Sequence, residues 1–179
     1  MSAAYLVLGF IVLPLWIAAG LADYLCHRAA RISQNAGTRE SLLHLVQFSL
    51  VGIPVTLALF LNANAGFFIL AAVFILLHHL VAYIDLRYAD DTREIAPREQ
   101  MVHSFLEILP ITALLLLAVA EWPQALAAIG LGDEQARLRP QPRLISGTYA
   151  AAILAATLLF NCLPYLEELL RCLGERNKR

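Results

Sequence analysis

Every histidine of this chain lies within a few residues of a carboxylate, and each such group stands where an apolar run begins or ends. The groups are Asp23 with His27, Glu40 with His44, His78 and His79 with Asp85, and His103 between Glu99 and Glu107. Imidazole nitrogen together with carboxylate oxygen is the donor set of intermediate divalent metals. Ionisable residues at or inside a bilayer are costly and default to a functional reading. On a helix, residues four apart lie one above the other. Asp23 and His27 therefore point the same way, as do Glu40 and His44. Glu99, His103 and Glu107 form a two-turn stripe. His78 and Asp85, seven apart, also share a face. His79 points well away from His78, so only one of the two faces a common centre directly.

The composition says what must carry these groups. Of 179 residues, 60% are hydrophobic and 15% charged. Soluble domains sit nearer about 45–50% and about 25%, so this is membrane composition. A net charge of −1, with no basic stripe interleaved with aromatics, sets nucleic-acid binding aside. Cys26, Cys162 and Cys172 are scattered and form neither a disulfide framework nor a CxxC motif. Cys26, between Asp23 and His27, reads as a small buried hydrophobe.

Five apolar segments reach the roughly 20 helical residues that cross a bilayer. They are Tyr5–Leu25, Leu42–Leu61, Phe67–Ile84, Val102–Ala120 and Ile145–Leu163. Nothing positive precedes the first, so it reads as a retained helix rather than a signal peptide. The expected architecture is an all-α integral membrane protein of about five transmembrane helices. Residues 1–120 would be a four-helix metal-binding core, 121–143 an outer connecting loop, and 144–179 the fifth helix with a cytoplasmic tail. Gln124–Ile129 reads as a short surface helix. The tail from 165 reads as an amphipathic or solvated helix end without chemistry.

Basic residues orient the bundle. Arg28, Arg31, Arg39, Arg87, Arg93, Arg98, Arg171, Arg176, Lys178 and Arg179 fall on one side, against Arg137, Arg139 and Arg143 on the other. The N-terminus is then outside and the C-terminus cytoplasmic, as in a bacterial inner membrane. Trp16 and Trp122 read as interface anchors, as do Tyr24, Tyr83 and Tyr88.

Thr38–His44 resembles Pro97–His103: both read x-R-E-x-x-x-H, and both open an apolar helix that later contains a proline, Pro54 or Pro110. The core is expected to be two repeated helical hairpins, with the fifth helix outside the repeat. The first and third helices end, and the second and fourth begin, at the cytoplasmic edge. All four histidine–carboxylate groups thus reach one depth, offering up to five carboxylates and five imidazoles. That exceeds one metal's needs; two metals sharing bridging carboxylates would use most of it, and the surplus would orient the histidines. The carboxylate beside each histidine argues against haem.

At these residues, over about residues 20–107, the chain resembles membrane-bound non-haem di-iron oxidases, hydroxylases and desaturases. E-x-x-x-H at Glu40/His44 and Glu99/His103 is one residue longer than the E-x-x-H of ferritin-like carboxylate enzymes. The adjacent His78-His79 is similar to part of a histidine box. The resemblance implies two divalent ions, iron first with zinc or manganese as alternatives. His27, His44, His78 and His103 would be terminal ligands. Asp23, Glu40, Asp85, Glu99 and Glu107 would bridge or terminate, with Glu40, Glu99 and Glu107 as the catalytic carboxylates. It implies O₂ activation to hydroxylate or desaturate a lipid, acyl chain or quinone, and an electron donor as partner. Two rivals stand beside it. One is a zinc-dependent lipid hydrolase with a carboxylate as general base. The other is a metal transporter or sensor, disfavoured because transport sites lie near the midplane and only Thr56 and Thr112 are polar there.

Overall fold

A helix of apolar side chains can satisfy every backbone group internally, which is what hydrocarbon demands. The chain does this five times. The structure, a computed structural model, describes residues 2–140 and 146–178. Its long helices are α1 (Ala3–Ala29), α2 (Gly37–Ala58), α3 (Ala65–Thr92), α4 (Pro97–Ala120) and α6 (Gly147–Arg176), each long and apolar enough to span a membrane. A short α5 (Trp122–Ala128) follows α4. The protein is an integral membrane helical bundle, with a lipid-facing exterior of residues such as Phe10, Leu76, Leu115 and Val119. Ile145, where the last span was expected to begin, and Arg143 and Arg179 lie outside the described residues.

Most helices run past their apolar stretches at the end where the histidines lie. α3 continues beyond Ile84 to Thr92, and α4 begins at Pro97 rather than Val102. Pro97 suits a first turn, where its missing N–H is not needed. α2 starts on Gly37 at φ +68°, a left-handed conformation that glycine adopts without steric cost. At the opposite end, the Asn64 side chain accepts from Phe67 N at 3.1 Å and caps α3. Gln124 of α5 accepts from Ala65 N at 3.0 Å beside it.

The helices close a ring. α1 packs on α4, α4 on α3, α3 on α2, α2 on α6, and α6 on α1. α6 therefore fills the gap between α1 and α2. The approach of α6 to α1 depends on Gly20: a Cβ there would lie 2.3 Å from Asn161 Nδ2. Small residues at such crossings let membrane helices come close. Asn161 Nδ2 then donates to Ile17 O at 3.1 Å, and Tyr165 Oη to Gly20 O at 3.2 Å. Asn161 lies in a π-helical turn, Leu158–Cys162, and a second such turn occupies Leu8–Val12 of α1. Single π turns are rare and frequently sit at functional sites. Mid-bundle, Val12, Trp16, Ile17, Val51, Leu109 and Ile153 form the apolar core, so Trp16 is a core residue and not the interface anchor it was read as. This core lies between the histidine end and the far end.

One expectation is corrected here. Of the two readings of the tail from residue 165, the amphipathic one holds, and the solvated end without chemistry does not. Tyr165, Glu168 and Cys172 are buried, because α6 continues as one helix and lays that face between α1 and α2.

Candidate metal centre

The last turns of α1 and α3 and the first turns of α2 and α4 converge at one end of the bundle, as their directions require. Asp23 of α1 faces His103 of α4, Oδ1 to Nε2 3.0 Å. Asp85 of α3 faces His44 of α2, Oδ2 to Nε2 3.3 Å. Glu99 and Glu40 stand one turn before those histidines and meet on a single guanidinium, that of Arg93. Arg93 Nε lies 3.1 Å from Glu40 Oε1, its Nη1 lies 3.1 Å from Glu99 Oε2, and its Nη2 contacts both carboxylates. The sequence repeat thus becomes two quasi-equivalent triads, Asp23–Glu99–His103 and Asp85–Glu40–His44.

His27 breaks the symmetry. The position equivalent to it, four residues after Asp85, is Ala89. The His27 ring lies stacked on His44 with centroids 3.9 Å apart and planes 11° apart. Its Nε2 is 3.4 Å from Asp23 Oδ1 and 3.6 Å from Glu99 Oε1. Its Nδ1 lies 3.2 Å from Glu168 Oε2, while His44 Nδ1 lies 2.8 Å from Glu168 Oε1. One carboxylate from α6 therefore accepts Nδ1–H from both rings. Fixing the proton on Nδ1 turns each Nε2 into a lone pair. Those lone pairs face carboxylate oxygens.

That is the decisive feature of the geometry. His27 Nε2, His44 Nε2, Asp23 Oδ1 and Asp85 Oδ1 are buried and have no hydrogen-bond partner among the described residues. Buried polar atoms are almost always paired, and an orphan points to an ion or water. Lone pairs facing lone pairs at such distances repel unless a proton on the imidazole or a metal cation lies between them. Metal–ligand bonds of about 2.1 Å place neighbouring ligands about 3.0–3.4 Å apart. The separations quoted above run from 3.0 to 3.6 Å. Asp23, His27 and His103 offer donor atoms all within 4.8 Å of one another, and so do His27, Glu40 and His44.

Charge points the same way. Asp23, Glu40, Asp85, Glu99 and Glu168 are all buried. Against five carboxylates stands one guanidinium, its side chain 3% exposed. Burial acts to lower the Arg93 pKa, but its bonds to Glu99 and Glu40 outweigh this and hold it above the ordinary arginine range. With the imidazoles neutral, four negative charges remain in a region where uncompensated charge costs several kcal/mol per ion. Two divalent cations would balance them, as protons on the histidines would in part.

Seven of the ten residues singled out from sequence meet here: Asp23, His27, Glu40, His44, Asp85, Glu99 and His103. His78 is buried about two turns before Asp85 on α3, its Nδ1 donating to Gln47 O at 3.2 Å. Glu107 is half-buried on the same small cavity as His78. His79 does not join them. Its Nδ1 is satisfied 2.8 Å away by Ile75 O of its own helix, because adjacent residues on a helix diverge. Sequence reasoning missed Glu168, Arg93 and Tyr165. The single O–H of Tyr165 is shared between Gly20 O and Asp23 Oδ2, the latter at 3.1 Å. The missed signal on α6 was a stripe, Asn161–Tyr165–Glu168–Cys172, on one helical face. Tyr24 and Arg28 lie outside the centre and clamp Glu167, Tyr24 Oη at 2.8 Å and Arg28 Nη1 at 3.2 Å.

No known protein family, no curated protein and no solved structure matches this chain.

Proposed function

We propose that this protein is a membrane-embedded oxidoreductase with a dinuclear metal centre, iron by its donor set, acting on an apolar chain. One ion would be held by Asp23, His27, Glu99 and His103. The other would be held by Glu40, His44 and Asp85. Arg93 keeps the two glutamates in register. The observation that carries this reading is the convergence of unpartnered Nε2 and carboxylate oxygens in a buried, net-negative centre. Iron in such a ligand set supplies O₂ activation and electron transfer. The excess of basic residues at that end of the bundle supports a cytoplasmic centre, where a soluble electron donor has access.

The test is anaerobic loading with Fe²⁺ in lipid nanodiscs, followed by O₂ and a reductant. The expected result is O₂ uptake above that of a His44→Ala, His103→Ala variant. Mass spectrometry should also show lipid that has gained oxygen or lost hydrogen. O₂ uptake no greater than that of the variant overturns the reading. One feature favours a second reading, a zinc hydrolase. Glu107 faces the cavity beside the centre with no hydrogen-bond partner among the described residues, as a general base would. Zinc-loaded protein that releases fatty acid from lipid would establish it.

A further inference from the structure

A small cavity lies at the centre, and a large one in the apolar core shares two lining residues with it. The small one, about 50 Å³, is lined by Asp23, His44, Asp85 and His103 of the centre and by His78, Asn161 and Glu107. The large one, about 430 Å³, runs through the apolar core toward the far end, past Leu109, Ala113 and Leu117 to Tyr5. Trp16 and Val51 line both. The stretch from Leu109 to Leu117 is about 12 Å long at the helical rise. The large cavity's size is that of a small-ligand pocket, and its walls are almost wholly hydrocarbon.

The small cavity has a definite polarity. His78 Nε2 and Asn161 Oδ1 are buried without hydrogen-bond partners, and both side chains are less than a tenth exposed. His78 Nδ1 donates to Gln47 O, and one of the two N–H groups of Asn161 Nδ2 donates to Ile17 O. Gln47 Nε2 donates one N–H to Asp85 Oδ2 at 2.9 Å. Two unpartnered acceptors thus line the chamber, with the Glu107 carboxylate on its wall. Such a chamber takes a hydrogen-bond donor and repels an acid. Water, for which there is room, can fill it at rest and be displaced.

We infer that the two cavities form one binding site for a single hydrocarbon chain ending in a neutral hydroxyl. The hydroxyl donates to His78 Nε2 or Asn161 Oδ1, and the chain lies along α4 toward Tyr5. This deepens the functional reading and rests on it only for the chemistry that follows binding. The binding itself needs no metal.

Trp16 on the shared wall is the reporter, once the exposed Trp122 is replaced (Trp122→Phe). The probes are a bromine-labelled dodecanol and the matching bromododecane, titrated into chelator-treated protein in phosphatidylcholine nanodiscs. The expected result is saturable quenching of Trp16 by the alcohol. The alkane should bind about tenfold more weakly, the worth of one buried hydrogen bond. His78→Phe should weaken alcohol binding about tenfold and leave the alkane unchanged. Ala113→Phe should block both probes; should that variant fail to fold, the His78→Phe comparison decides. Quenching that rises linearly without saturation, or equal affinity for alcohol and alkane, overturns the inference. Saturable alcohol binding to a protein that takes up no iron would sink the oxidoreductase reading and leave this one standing.

Discussion

His27 and His44 lie ring on ring, 3.9 Å between centroids, and both place Nδ1 on the one carboxylate of Glu168. Two imidazoles from different helices are thereby locked in the same tautomer by a third. Their free nitrogens face four carboxylates, Asp23 and Glu99 on one side, Glu40 and Asp85 on the other.

Replacing Glu168 should therefore act on metal binding without touching a ligand. Loss of an orienting carboxylate costs about 10–100-fold in metal affinity. Glu168→Gln keeps the shape and should fall in that range, with Glu168→Ala lower still. Competition against a chelator measures this. Unchanged affinity in both variants would show that the histidines need no such support.

Arg93 should be the stability anchor of the same end. Its guanidinium is the sole partner shared by Glu40 and Glu99 among the described residues. Removing one member of a buried pair costs about 3–5 kcal/mol, so Arg93→Met should lower the unfolding midpoint sharply in metal-free protein. Lysine should not restore it, because one ammonium cannot fork to two carboxylates. The pH dependence follows from its raised pKa. A cation raised by its partners contributes fully below its unfolded pKa and fades only as pH climbs through the folded one. The Arg93 contribution should stay flat across the neutral and mildly alkaline range. Thermal melts of both variants against pH check it.

Gly20 sets how closely α6 approaches. Gly20→Ala would place a methyl group 2.3 Å from Asn161 Nδ2, so the amide must leave Ile17 O or α6 must move. Overpacking of this kind costs about 1–3 kcal/mol. Because α6 also carries Glu168, metal affinity should fall along with the melting temperature. A melt that drops while metal affinity holds would mean that α6 adjusts locally without moving Glu168.

Much of this was legible in the sequence. Five apolar runs of spanning length fixed the bundle, and the i, i+4 spacing put Asp23 over His27 and Glu40 over His44. The repeat around Glu40 and Glu99 was visible, and its physical meaning is the shared Arg93. Three features escaped for separable reasons. Arg93 was hidden among surface arginines, since charge counting does not tell an inward arginine from an outward one. Glu168 was hidden by its neighbours Glu167 and Arg171, which are more exposed and make the segment look solvated. The insertion of α6 between α1 and α2 depends on Gly20 meeting Asn161, a contact between residues far apart in the chain.

Sidedness has its own test. Glu94→Cys, on the loop at the histidine end, and Glu134→Cys, at the far end, are both exposed positions. In a background without the native cysteines, a membrane-impermeant maleimide applied to intact cells should label Glu134→Cys and spare Glu94→Cys. The reverse pattern would put the centre outside and remove access to cytoplasmic electron donors.

The most direct measurement is elemental analysis of protein purified in mild detergent without chelator, beside the His44→Ala, His103→Ala variant that breaks both triads. The expected result is close to two metal ions per chain, iron foremost, lost in the variant. Wild-type protein carrying no stoichiometric metal, with its buried carboxylates still tolerated, would contradict it.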